Sequence, residues 1–253
     1  MLLCLEKVEQ FLDMDMDKYK YLKDIETFVY CGGKCGSKTL YHTLKNALHV
    51  HSNINFQKIV LNGEKEISIF DIINYNRINK PQIYIIDSYR TPIERKTSSF
   101  FENIRNHLPN YKELPIENII DYFNATLLGR LEEYHSIDEA FKYFRVEPFT
   151  KFNFEKKYIS KNYENITFVK IRFQEINEWG DILSEIFNKP INMIKRNLTE
   201  TKEIFNLYTE FKKIYKVPKS YIHDQLANDA QFKIYNSQKE QKEYINKWLL
   251  KSI

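Results

Sequence analysis

Short unbroken apolar runs alternate along the chain with longer stretches in which apolar residues recur every three or four positions. Runs of the first kind read as buried strands. They are residues 26–31 (Glu-Thr-Phe-Val-Tyr-Cys), 57–61 (Gln-Lys-Ile-Val-Leu), 82–88 (Gln-Ile-Tyr-Ile-Ile-Asp-Ser) and 166–171. Runs of the second kind read as amphipathic helices. Leu40, Leu44 and Leu48 predict a helix over 38–48, and 68–78 predicts another. Pro92 suits a first helical turn, after which Ile93, Thr97, Phe100, Phe101, Ile104 and Leu108 share one face. Helices are also expected over 116–144, 175–188 and most of the last fifty residues. Strands alternating with helices predict an α/β fold with a central, mostly parallel sheet flanked by helices and a helical C-terminal part.

No repeat or Pro/Gly/Ser linker divides the 253 residues, so one domain over 1–253 is expected. The proportions, 43% hydrophobic and 28% charged, are those of a globular chain. The net charge of +4 is spread along the chain; it suits an anionic ligand and is too small to argue for nucleic acid, and none is expected as a partner. No stretch approaches the roughly twenty apolar residues of a membrane span. The apolar start Met1–Leu5 gives way at once to Glu6 and Lys7, which is too short for a signal peptide, so a cytoplasmic location is expected. Cys4, Cys31 and Cys35 have neither disulfide nor zinc spacing, and no metal is expected. Sequons at Asn124, Asn165 and Asn197 are what an Asn-rich chain produces by chance.

Only six glycines occur, and three of them, Gly32, Gly33 and Gly36, crowd the turn after the first predicted strand. A glycine turn between a strand and a helix N-terminus aims backbone N–H groups at one point, where the helix dipole favours an anion. Lys34 and Lys38 add charge there, and Ser37 and Thr39 add hydroxyls. The dinucleotide pattern Gly-x-Gly-x-x-Gly is not met, and Gly32-x4-Ser37-Lys38-Thr39 misses the Walker pattern at the glycine before the lysine. An ATP-dependent kinase or NTPase nevertheless stays open, with Lys38 and Thr39 on the triphosphate and Asp87 holding magnesium. So does a nucleotide-binding module without catalysis.

Lys34-Cys35-Gly36-Ser37-Lys38-Thr39 fits the form Lys-x-Gly-[Ser/Thr]-x-[Ser/Thr]. With Arg90, Pro92, Arg95 and Ser98 at their spacing, it resembles the two nucleotide motifs of sulfotransferases that use 3'-phosphoadenosine 5'-phosphosulfate (PAPS). Residues 147–158, 166–187 and the closing Asn246-Lys247-Trp248 are similar to a bacterial group of sulfotransferase-like capsular polysaccharide synthesis proteins. The chain departs from that group at Lys38, where Thr is common, and at Arg172-Phe173-Gln174-Glu175, where Glu-Asp is common. The resemblance implies a P-loop-like sulfotransferase fold, PAPS as donor with PAP as product, and a carbohydrate or polysaccharide acceptor. It assigns Gly33, Cys35, Gly36, Ser37, Lys38 and Thr39 to the 5'-phosphate end, and Arg90 and Ser98 to the 3'-phosphate. Lys34 is assigned to the bridging oxygen. His49-Val50-His51 looks like the histidine-bearing stretch of uronyl 2-O-sulfotransferases, which makes His51 or His49 the candidate base, with Glu64 and Glu66 as fallback carboxylates. His42 reads as a packing or solvent-facing residue.

Overall fold

A computed structural model describes residues 22–51, 59–61, 65–128, 137–194 and 203–250. In chain order it begins with β1 (Thr27–Cys31), α1 (Ser37–Thr43), β2 (Ala47–His51), β3 (Ile59–Leu61), β4 (Lys65–Ile67), α2 (Ile69–Asn79) and β5 (Ile83–Tyr89). Then come α3 (Pro92–Glu102), α4 (Ile104–His107), α5 (Ile116–Phe123) and α6 (Ile137–Phe144). The remainder is β6 (Tyr158–Tyr163), β7 (Ile166–Arg172), α7 (Trp179–Phe187), α8 (Phe205–Ile214), α9 (Ala230–Tyr235) and α10 (Gln238–Leu249). The contacts group into two compact units, each assembled from separate stretches. The first comprises Met1–Tyr89, Tyr134–Pro148 and Glu155–Arg196; the second comprises Arg90–Glu133, Phe149–Phe154 and Asn197–Ile253.

The first unit is an α/β layer structure around a five-stranded sheet of order β2-β1-β5-β7-β6. All neighbours are parallel except the β6–β7 hairpin. β1, β5 and β7 are buried almost throughout, as expected of parallel strands covered on both faces. On one face Val29, Cys31, Ile86, Val169 and Ile171 pack with Leu40 and Leu44 near α1, and with Trp179, Ile182 and Leu183 of α7. On the other, Phe141 of α6 meets Phe168 of β7 at 4.9 Å between ring centroids. Ser68 and Asp71 form a capping box that starts α2. The second unit is helical, around Phe100, Phe101, Phe123, Phe211, Tyr215, Trp248 and their neighbours.

Several sequence boundaries move. The helix expected over 38–48 stops at Thr43: Leu44 turns extended (φ −88°, ψ 132°), and Leu48 lies in β2, paired with Phe28. The strand expected at 57–61 is not a member of the central sheet. Its described part, β3, forms a separate antiparallel pair with β4. The helix after Pro92 breaks at Asn103. β6 was not expected; it is an edge strand, buried at Tyr158 and otherwise partly exposed. Cys4, Glu64, Asn197 and residues 129–136 of the expected helix lie outside the described residues. Among those described, no helix is long and apolar enough to cross a membrane.

Candidate functional site

The chain passes from β1 to β2 on one side of the sheet and later returns to place β5 on the other side of β1. The order of strands therefore reverses between β1 and β5. In open α/β sheets, ligands bind outside the carboxyl ends of strands at such a reversal. The glycine turn, residues 32–36, leaves β1 there.

Its backbone is unusual at two places: Lys34 has φ 67° and Gly36 has φ 84°. Cys35 between them has no positive φ, so the sign alternates, as it does in concave backbone nests that hold anions. A left-handed lysine costs roughly 1–2 kcal/mol, a strain of the kind that accumulates at functional sites. Gly36 caps α1 without any side-chain bond, and its carbonyl accepts from the amides of Thr39 (3.0 Å) and Leu40 (3.2 Å).

Gly36 has a second reason to be glycine. A Cβ there would lie 2.7 Å from Trp179 Cη2, 3.1 Å from Trp179 Cζ3 and 3.2 Å from Phe173 Cδ2. Gly33 is the opposite case, since nothing lies within 4 Å of an added Cβ. The loop is thus closely packed at Gly36 and uncrowded at Gly33. Trp179 is fully buried, and its Nε1–H donates to the Arg172 carbonyl at 2.9 Å. Arg172 ends β7, and its guanidinium is paired with the Glu175 carboxylate, Nε to Oε2 at 3.0 Å and Nη2 to Oε1. The segment Arg172–Glu175, whose departure from the family pattern left it without a role, is therefore part of the loop's support. Neither Trp179 nor Phe173 was anticipated as a site residue.

Of the polar loop residues, Lys38 is exposed, Lys34 is partly exposed, and Ser37 and Thr39 are buried in the first turn of α1. Cys35 is buried, with its thiol donating to the Gly33 carbonyl at 3.6 Å. Cys31 donates likewise to the Ile86 carbonyl at 3.6 Å. Burial, reinforced by the nearby Asp87 carboxylate, pushes the Cys31 thiol well above its ordinary pKa.

Comparison of the chain with family models, curated proteins and solved structures returns no match.

The two candidate bases lie on β2, an end strand of the sheet among those described, with His49 in register with Val29 and His51 with Cys31. His49 is stacked on the exposed Tyr41 ring (5.8 Å, 26°), and its Nε2 is buried. Asp87, the magnesium ligand of the kinase reading, is fully buried and ion-paired with the equally buried Lys170 beside it on β7. Its other contacts are the amides of Ser88 (2.6 Å) and Ile137 (3.4 Å). The Asp87 carboxylate is thus engaged by Lys170 and by these two amides. Close by, Tyr30 donates to Glu139 of α6; burial first, and that carboxylate second, raise the Tyr30 pKa.

The second unit begins with Arg90, the residue after β5, and carries Ser98 on α3; both are partly exposed, whereas Arg95 is buried. Tyr208 has a pKa raised by burial, which the charge and hydrogen bond of Arg90 oppose and Glu94 reinforces. The Glu94 carboxylate accepts from Thr91 Oγ1 (2.9 Å), Lys247 Nζ (3.0 Å) and Tyr244 OH. Arg90 and Glu94 thus both bear on Tyr208.

Proposed function

We propose that the chain is a sulfotransferase that moves a sulfuryl group from PAPS to a hydroxyl or amine of a carbohydrate, with a polysaccharide of capsule type as one acceptor class. The observation that carries this reading is the loop itself: Lys-x-Gly-[Ser/Thr]-x-[Ser/Thr] at a sheet reversal, left-handed at Lys34 and Gly36, closely packed at Gly36 and uncrowded at Gly33. The donor supplies an activated sulfuryl group on a phosphate leaving group. The protein must then neutralise charge on the leaving oxygen and take a proton from the acceptor. Lys34 is the group proposed for the first task, with the loop amides orienting the 5'-phosphate. His51 and His49 of β2 are the candidate bases, and His51 is the better match to the histidine-bearing stretch that the sequence resembles. The 3'-phosphate assignment rests on the motif of Arg90 and Ser98.

Thermal unfolding with and without ligand tests the reading. PAP at about 100 times its Kd adds roughly 2.7 kcal/mol, a rise of about 5–10 °C for a chain of this size, and it should do so without magnesium. Stabilisation by magnesium–ATP alone overturns the proposal. Stabilisation by PAP without transfer of label from PAPS to any glycan reduces it to a binding module.

A further inference from the structure

We infer that Trp179 is a positioning residue for the anion loop: the far edge of its indole sets the conformation of Gly36, and through it the phosphate affinity of the loop. The inference rests on reading the loop as a nucleotide-phosphate site. The two atoms nearest the missing Cβ of Gly36, Cη2 at 2.7 Å and Cζ3 at 3.1 Å, belong to the outer ring of the indole. A phenylalanine rooted at the same Cα is shorter and does not carry them. The indole is also held in place. It is fully buried, its Nε1–H is tied to the Arg172 carbonyl, and the Arg172–Glu175 ion pair fixes the turn between β7 and α7. Gly36 in turn anchors the first turn of α1, because its carbonyl accepts from both Thr39 and Leu40. A shift at Gly36 therefore moves the amides that would meet the ligand.

This contact predicts suppression in place of additivity. Gly36→Ala sets a methyl group against the indole and strains a φ of 84°, so PAP affinity measured by calorimetry should fall at least about tenfold. Trp179→Phe alone loosens the support and weakens binding less. In the double variant the two shortest contacts are gone, and PAP should bind more tightly than in Gly36→Ala alone. If Trp179 served only general stability, the two losses would add.

Because the chain has two tryptophans, Trp248→Phe leaves Trp179 as the only tryptophan, which excitation at the red edge of the indole band selects over the tyrosines. Its fluorescence should then change saturably with PAP at the calorimetric Kd, which gives a readout even if Gly36→Ala does not fold. A double variant that binds no better than Gly36→Ala overturns the inference, and so does a silent Trp179 in a protein that binds PAP. Failure of the unaltered protein to bind PAP instead removes the functional reading on which the inference stands.

Discussion

Replacing Lys170 by Met should be among the most damaging single changes in this protein, although it swaps a charge for an apolar side chain in the core. Lys170 and Asp87 are both 0% exposed and sit opposite each other in register on the two central strands β5 and β7. Without Lys170, Asp87 keeps, among the described residues, the amides of Ser88 and Ile137, and its charge loses the counter-ion beside it. Breaking such a pair from one side costs about 3–5 kcal/mol, a large share of a typical total of roughly 5–15 kcal/mol. Urea unfolding should show the loss as a lower midpoint at unchanged slope. Asp87→Leu combined with Lys170→Met removes both charges and should be less stable than the parent by no more than about 1–2 kcal/mol. A Lys170→Met cost under about 1 kcal/mol, or a double variant as damaged as the single, refutes the buried-pair argument. Asp87→Asn links the argument to function. The kinase reading requires that it abolish magnesium–ATP binding while stability holds; the pair requires that stability fall.

Lys34→Ala should lower sulfuryl transfer by roughly 10²–10³-fold, as loss of a group acting on transition-state charge does, while calorimetry shows PAP affinity nearly unchanged; unchanged turnover removes Lys34 from the mechanism. Arg90→Ala should weaken PAP by roughly ten- to a hundredfold, the worth of a charge-assisted hydrogen bond, yet leave AMP, which lacks the 3'-phosphate, within about twofold. Equal losses for both nucleotides would detach Arg90 from the 3'-phosphate. Cys31, buried and with its pKa raised, should resist iodoacetamide at pH 8 in the folded protein and react once urea unfolds it, as read by peptide mass spectrometry. Since the folded thiol holds its proton more tightly than the unfolded one, this group favours folding below the unfolded pKa, and that contribution fades as pH rises through the folded value.

What could be read from the residues, and what could not, follows from the range of the interactions. β5 and β7 were legible because parallel central strands are apolar on both faces, so a short unbroken run is itself the signal. The end of α1 was not, because residues four apart lie on one face in a helix and also in a strand. Leu40 lies in α1, Leu44 follows its last residue in extended backbone, and Leu48 lies in β2. β6 escaped notice because an edge strand with a single buried residue leaves no alternation to detect.

The same distinction runs through the site. Gly36 announces itself locally, as one of three crowded glycines, and its positive φ is a property of a short stretch of chain. The reason an alanine is excluded on steric grounds belongs to Trp179 and Phe173, brought there by the turn at the end of β7, and no spacing rule near residue 36 encodes it. Lys170 is the complementary case. Inside the apolar run of β7 it reads as a blemish, and only the register with Asp87 shows it to be half of a core ion pair. A motif can thus point to a ligand class for a loop, while the residues that hold the loop in its shape become visible only once distant strands are aligned. This is why Arg172–Glu175, a departure from the family pattern in sequence, becomes intelligible in the fold: it braces the indole that closes the loop at Gly36.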